Sequence, residues 1–274
     1  MKRKSFVVGA AIVLVCAAVI IACASNPYTG KKTIALVSND SLLASSFTQY
    51  KTFLAGSQII RGTADAVMVE RVGNRIRQAA EKWAASMGQS AYLDDYQWEY
   101  HLVASNEVNA WCMPGGKIVV YTGILPVTKD ETGLAVVLGH EVAHALLNHG
   151  QQRASAGVLQ QGGAAGVSIL TGTQSAATQQ LAMTVYGAGS NLFGVLPFSR
   201  SHENEADHIG LILMAIAGYR TDASTGFWER MASLGGGGTP EFLSTHPSDT
   251  TRVANLRKWI PEADSKAREI GVIK

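Results

Sequence analysis

Hydrophobic positions along this chain recur at two different periods, and the period marks out its elements. Val69, Val72, Ile76, Ala79 or Ala80 and Trp83 fall three or four residues apart, with Glu70, Arg71, Arg75, Arg77 and Lys82 between them. That spacing predicts a core-facing amphipathic helix from Ala64 onward. A helix over Leu42–Leu54 is expected to lead into it. Two runs, Trp98–Ala104 and Lys117–Thr122, carry the β-branched and aromatic residues of strands, and Pro114-Gly115-Gly116 between them signals a turn. The stretch from Leu134 to Leu147 is apolar almost throughout. Thr128 and Glu131 frame its start as a capping box and Gly150 stands as its C-cap, which predicts one helix from Lys129 to Asn148. From Gln151 to Pro197 the composition turns to Ala, Gly, Gln, Ser and Thr, with no charge after Arg153. Two interrupted helices around a loose Thr171-Gly172-Thr173 link are expected there, either gating a cleft or simply packing. A further helix starts near Ser201, its expected N-cap, and runs through Ile209, Leu213 and Ile216 to Gly218.

Candidate chemistry sits inside the most apolar of these helices. Its sequence contains His140-Glu141-Val142-Ala143-His144. Residues four apart share a helix face, so two imidazoles project side by side, spaced to hold one Zn²⁺ and leave positions for other ligands. Glu141 is rotated by about a quarter-turn, off the metal but near enough to deprotonate a water beside it. Two histidines and a glutamate would be costly on a core-facing surface unless something satisfied them. The later helix supplies candidates, because Glu203 and Asp207 also lie four apart. Glu203 completes a two-His, one-Glu zinc site, and Asp207 can accept a hydrogen bond from the far nitrogen of a ligating histidine. A strand shortly before the metal helix, over Gly116, Ile118, Val119 and Val120, would pair an extended peptide if its edge were exposed; a purely structural hairpin accounts for it equally well.

Composition adds a leader and removes some alternatives. Met1-Lys2-Arg3-Lys4, an uncharged run from Ser5 to Ala22 and then Cys23 read as a secretory signal, with Ile20-Ile21-Ala22-Cys23 resembling a lipobox. Residues 1–22 are thus expected to be removed, Cys23 to carry lipid, and 23–41 to form a polar tether. The formal charge is +2, but without Lys2, Arg3 and Lys4 only 20 of the 23 basic residues face 21 acidic ones, a balance of −1. No basic cluster survives to hold nucleic acid. Of three cysteines only Cys112 would remain, between Trp111 and Met113, as a packed thiol without a disulfide partner. His246, followed by Pro247, can be read three ways: stabilising an oxyanion, displacing water from the metal, or serving helix-start geometry with Ser248 as cap. His149 is expected at a helix end as a cation favouring the dipole, and Glu205, two residues from Glu203, to point elsewhere.

His-Glu-Val-Ala-His, followed some sixty residues later by Ser199-Arg200 with Glu203, Glu205, Ala206 and Asp207, is accompanied by Asn109-Ala110 and Pro114-Gly115-Gly116 upstream. Thr245-His246-Pro247 and Arg252 lie downstream. This set resembles the zinc metallopeptidase family of HtpX and the CAAX prenyl proteases, and within it the periplasmic lipoprotein branch of LoiP-like and BepA-like proteins. Cys112 departs from the pattern, where the family more often has an aliphatic or small residue. The resemblance implies an α+β, mainly helical fold of gluzincin type, with a small β-sheet beside the His-Glu-x-x-His helix and a peptidase domain over 42–260, leaving 261–274 as a tail. It implies one Zn²⁺ per chain held by His140, His144 and Glu203, with Glu141 as general base and acid and Asp207 in support. His246 would then act as an off switch on the zinc. The expected function is a zinc endopeptidase cleaving extended or misfolded envelope proteins, lipid-anchored to the periplasmic face of the outer membrane of a Gram-negative bacterium. The competing expectations are a chaperone or assembly factor for outer-membrane proteins with a latched site, in contact with the outer-membrane assembly machinery, and a structural metal-binding lipoprotein.

Overall fold

A computed structural model describes residues 23–161, 199–234, 240–246 and 251–271. The Thr171-Gly172-Thr173 link, the glycines at 235–238, Pro247 and Ser248 lie outside the described residues. The architecture is mainly helical with a small mixed sheet, as expected. An N-terminal hairpin of β1 (Cys23–Ser25) and β2 (Lys32–Ile34) precedes α1 (Asn39–Ala55), β3 (Ile59–Ile60) and α2 (Ala64–Ser86). After these come β4 (Glu99–Val103), β5 (Ala110–Met113), β6 (Lys117–Tyr121), the short α3 (Leu125–Thr128) and α4 (Glu131–Leu146). The chain continues in α5 (His149–Gln161), α6 (Arg200–Ile216), α7 (Ala223–Ser233), α8 (Glu241–Thr245) and α9 (Arg252–Glu269).

Helix α2 buries the stripe read from its sequence, Val69, Val72, Ile76, Ala79, Ala80 and Trp83. Helix α4 is buried on every side from Gly133 to Leu146, as a helix apolar all round must be. Its ends differ from expectation. Asp130 is the N-cap, its carboxylate accepting from the Gly133 N–H at 2.8 Å, and Lys129 takes a positive φ of 68° just before it. Glu131 is thereby freed from capping and instead accepts from Arg71, Arg75 and the Tyr219 hydroxyl, tying α2 and the end of α6 to α4. At the other end Asn148, with φ 54°, makes the left-handed reversal; Gly150 lies inside α5. Ser199, not Ser201, caps α6 by accepting from the His202 N–H.

Helices α4 and α6 cross where Gly139 faces Gly210. A Cβ on Gly210 would lie 2.8 Å from both the carbonyl carbon of Gly139 and the nitrogen of His140. Backbone cannot yield as a side chain can, so Gly210→Ala is expected to force the two helices apart and cost about 1–3 kcal/mol. Denaturant unfolding measures this, and an unchanged midpoint would show that the close approach is not needed.

The sheet has the order β3-β4-β6-β5, with β4 and β6 parallel and the other pairs antiparallel. The strands read at Trp98–Ala104 and Lys117–Thr122 are β4 and β6; β5, which links them, was not foreseen. Two segments expected to stand apart are docked. In the supposed tether, Asn26 Nδ2 donates to the Leu146 carbonyl at the end of α4 (2.7 Å) and the Tyr28 hydroxyl donates to the Ala80 carbonyl of α2 (3.2 Å). In the supposed tail, α9 continues past residue 260 and buries Ala263 and Ala267. Among the described residues no helix is long and apolar enough to cross a membrane.

Candidate metal centre

Helix α4 brings His140 and His144 to one face, with their Nε2 atoms 3.1 Å apart. Helix α6 crosses beneath and presents Glu203, whose Oε1 lies 3.4 Å from His144 Nε2 and whose Oε2 lies 3.5 Å from His140 Nε2. His246, directly after α8, adds its Nδ1 at 3.2 Å from His140 Nε2 and 3.1 Å from Glu203 Oε1. One donor atom from each of these four buried residues fits within 4.8 Å of the others. Zn–N and Zn–O bonds of about 2.0–2.2 Å make tetrahedron edges of about 3.3–3.6 Å. The four side chains therefore stand close to the spacing that a zinc ion requires, and their donors are the nitrogen and oxygen types it takes.

The electrostatics point the same way. Burial opposes a charge on His140, yet its hydrogen bonds to the Asp207 and Glu203 carboxylates raise its pKa to about 9. Burial likewise opposes a charged Glu203, and His246, His140 and His144 still hold it well below the usual carboxylate range. Burial and the neighbouring imidazoles instead hold His144 well below its usual range, so an anionic Glu203 stands beside a neutral imidazole, the donor states that a cation takes. Around it, Asp207 Oδ1 holds His140 Nδ1 at 2.9 Å. Arg252 donates from Nε to Asp207 and from a terminal nitrogen to Glu203, each at 2.6 Å, with its guanidinium 3.6 Å over the Trp228 ring. Glu141 is buried beside the cluster, its Oε1 3.4 Å from His246 Nε2, and burial raises its pKa.

The sequence-predicted residues His140, Glu141, His144, Glu203, Asp207 and His246 converge here; the strand does not behave as expected. Gly116, Ile118, Val119 and Val120 cannot offer an edge, because β6 is paired on both sides and buried throughout. The sheet edge next to α4 belongs to β5. Tyr121 N–H donates to the Asn109 carbonyl, so by antiparallel alternation the peptide groups of Ala110 and Cys112 turn away from β6. The Cys112 N–H meets the Glu141 carboxylate, while the Cys112 thiol is buried and its pKa is pushed up, so it is packing and not a nucleophile. Arg252 was read only as part of a downstream pattern. The available signal was an arginine on the same helix face as Leu256, a buried position. His149 is not a helix-end cation: it is fully buried, its pKa lowered by burial, with Nδ1 2.9 Å from His144 Nδ1. Glu205 points elsewhere than Glu203, as expected: it stays out of the donor group and faces His149 and Lys31.

A mainly helical α+β domain that presents two histidines from one helix and a glutamate from the next, with a second glutamate beside them, defines a gluzincin-type zinc hydrolase. The chain belongs to peptidase family M48, whose family model matches residues 70–260, and its four clustered donors fit the zinc that this family uses. It is 38% identical over 176 residues to the mitochondrial metalloendopeptidase OMA1 of Schizosaccharomyces pombe, covering 64% of this chain and 50% of that protein. It is 26% identical to the metalloprotease YcaL of Escherichia coli, covering 85% and 92% of the two chains. With the beta-barrel assembly-enhancing protease of Yersinia pestis it shares 28% identity over 61% and 36%. This chain thus spans about half the length of the first of these relatives. The comparisons support the family without singling out a lipoprotein branch. They overturn the outer-membrane location expected from the leader, since the relative named as mitochondrial is more similar than either bacterial one.

Proposed function

We propose that the chain cleaves extended segments of unfolded or misassembled proteins as a quality-control endopeptidase, with zinc held by His140, His144 and Glu203. The observation that carries this reading is the convergence of those three side chains beside a buried Glu141 that no ligand position requires. Zinc supplies a Lewis acid that acidifies water and polarises a carbonyl. Glu141 takes a proton from the attacking water and returns it to the leaving amine. Asp207 and Arg252 fix the His140 ring and the Glu203 carboxylate in place. The outward carbonyls of Ala110 and of Cys112, whose N–H is taken by Glu141, accept an extended substrate by strand addition to β5, which demands little of its sequence. A relative named for β-barrel assembly makes an unfolded β-barrel protein a sound first substrate. Cys23 as a lipidated residue remains part of the proposal on its sequence pattern alone.

His246 is proposed as a latch. Its Nδ1 occupies the fourth donor position and its Nε2 engages Glu141, so both the water site and the base are blocked until it moves. Zinc-loaded protein is expected to digest an unfolded substrate and to stop when chelator removes the metal. His246→Ala is expected to raise the cleavage rate at equal zinc content by about tenfold or more, the equivalent of releasing about 1.4 kcal/mol of closure. A rate that falls instead would make His246 an oxyanion stabiliser, and an unchanged rate would remove it from the mechanism.

A further inference from the structure

We infer that His149 is a positioning residue for the metal, holding the imidazole of His144 through a polar chain that runs from Glu205 and Lys31. The inference rests on the reading of His144 as a zinc ligand through Nε2.

The local structure makes the contact. Asn148 reverses the chain in a left-handed conformation, so α5 starts by folding His149 back beneath His144, five residues earlier. The two Nδ1 atoms are 2.9 Å apart, and the rings meet edge-on with centroids 4.9 Å apart. A His144 that ligates through Nε2 carries its hydrogen on Nδ1 and must donate it. His149 Nδ1 is therefore the acceptor, which puts the His149 hydrogen on Nε2. That nitrogen faces Glu205 Oε2 at 3.6 Å, and Glu205 Oε1 accepts from Lys31 Nζ at 2.5 Å. His202 stacks on the His149 ring with centroids 4.3 Å apart and is itself held by Gln152, so the ring has little freedom to turn.

The other ligating histidine shows the same plan. His140 Nδ1 meets Asp207, and Asp207 is neutralised by Arg252. His144 Nδ1 meets His149, then Glu205, which is neutralised by Lys31. Each imidazole is thus oriented by a carboxylate that a cation balances, directly in one case and through an intervening imidazole in the other. Lys31 belongs to the turn between β1 and β2, so the N-terminal hairpin is connected to the metal through four polar side chains.

The test uses the full chain carrying Glu141→Gln, with zinc affinity measured by chelator competition and the site read separately from the visible absorption of the cobalt-substituted protein. His149→Ala is expected to weaken zinc binding by about 10–100-fold and to alter the cobalt spectrum. His149→Gln, whose side-chain oxygen can accept the same hydrogen, is expected to recover part of both. Glu205→Gln, at a partly exposed position, is expected to weaken zinc about 2–10-fold. Wild-type affinity and an unchanged cobalt spectrum in a folded His149→Ala protein would overturn the inference. If that variant does not fold, an unchanged affinity in Glu205→Gln overturns it instead. Failure of the wild-type chain to bind zinc at all would defeat the ligand reading itself, whereas a wild type that binds zinc and cleaves nothing would defeat only the peptidase proposal.

Discussion

Glu141→Gln is expected to abolish peptide cleavage while leaving the zinc content at one per chain. Glutamine keeps the volume and one acceptor oxygen, so the packing against Cys112 and His246 should survive. It cannot take a proton from water. Removal of a positioned general base costs about 10²–10⁴ in rate, and here the same group must also deliver the proton to the leaving amine, which places the loss toward the upper end. Burial favours this role, because it raises the Glu141 pKa toward the range in which a carboxylate can both accept and return a proton. The measurement is single-turnover cleavage of an unfolded protein together with metal analysis. Cleavage at the wild-type rate by a zinc-loaded Glu141→Gln protein would transfer the base to another residue. Loss of zinc with loss of activity would show that Glu141 organises the metal as well.

Most of the centre could be read from spacing because its geometry is local. His140, Glu141 and His144 lie within one turn of one helix, and Glu203 and Asp207 within one turn of another, so helical period alone fixes which side chains share a face. The pairing of the two helices follows from chemistry, since two buried histidines need a carboxylate. What spacing does not contain is the path of chain between elements. Whether His149 continues the dipole of α4 or folds back beneath it depends on the conformation of Asn148, a residue that tolerates the left-handed region without demanding it. The helix boundaries at Asp130 and Ser199 were missed for a related reason: several neighbouring polar residues are each competent caps, and tertiary contacts choose among them, as Arg71, Arg75 and Tyr219 do by claiming Glu131. Strand β5 was missed because Asn109, Pro114 and Gly115 read as loop. Its edge position, and the burial of β6, arise from sheet order, to which a two-residue alternation is blind.

Arg252 offers the sharpest test of how the site is held together when metal is removed. Its guanidinium is buried, forks between Glu203 and Asp207, and lies over Trp228. Arg252→Ala would leave two buried carboxylates short of their shared cation, and breaking a buried ionic network from one side costs about 3–5 kcal/mol, with the ring contact adding roughly 0.5–2 kcal/mol. The loss should be larger without zinc than with it. Zinc gives Glu203 a new positive partner, whereas Asp207 keeps only the His140 ring. Since zinc binds the folded chain, its presence also stabilises by mass action. Urea unfolding of wild type and Arg252→Ala, each with chelator and with saturating zinc, separates these contributions. Arg252→Lys is expected to fall between them, because an ammonium keeps the charge but cannot bridge both carboxylates in the planar fork that arginine provides. If Arg252→Ala were as stable as wild type without zinc, the two carboxylates would have to be balanced by the cluster histidines alone. Neither the charge of Arg252 nor its contact with Trp228 would then contribute to the stability of the metal-free fold.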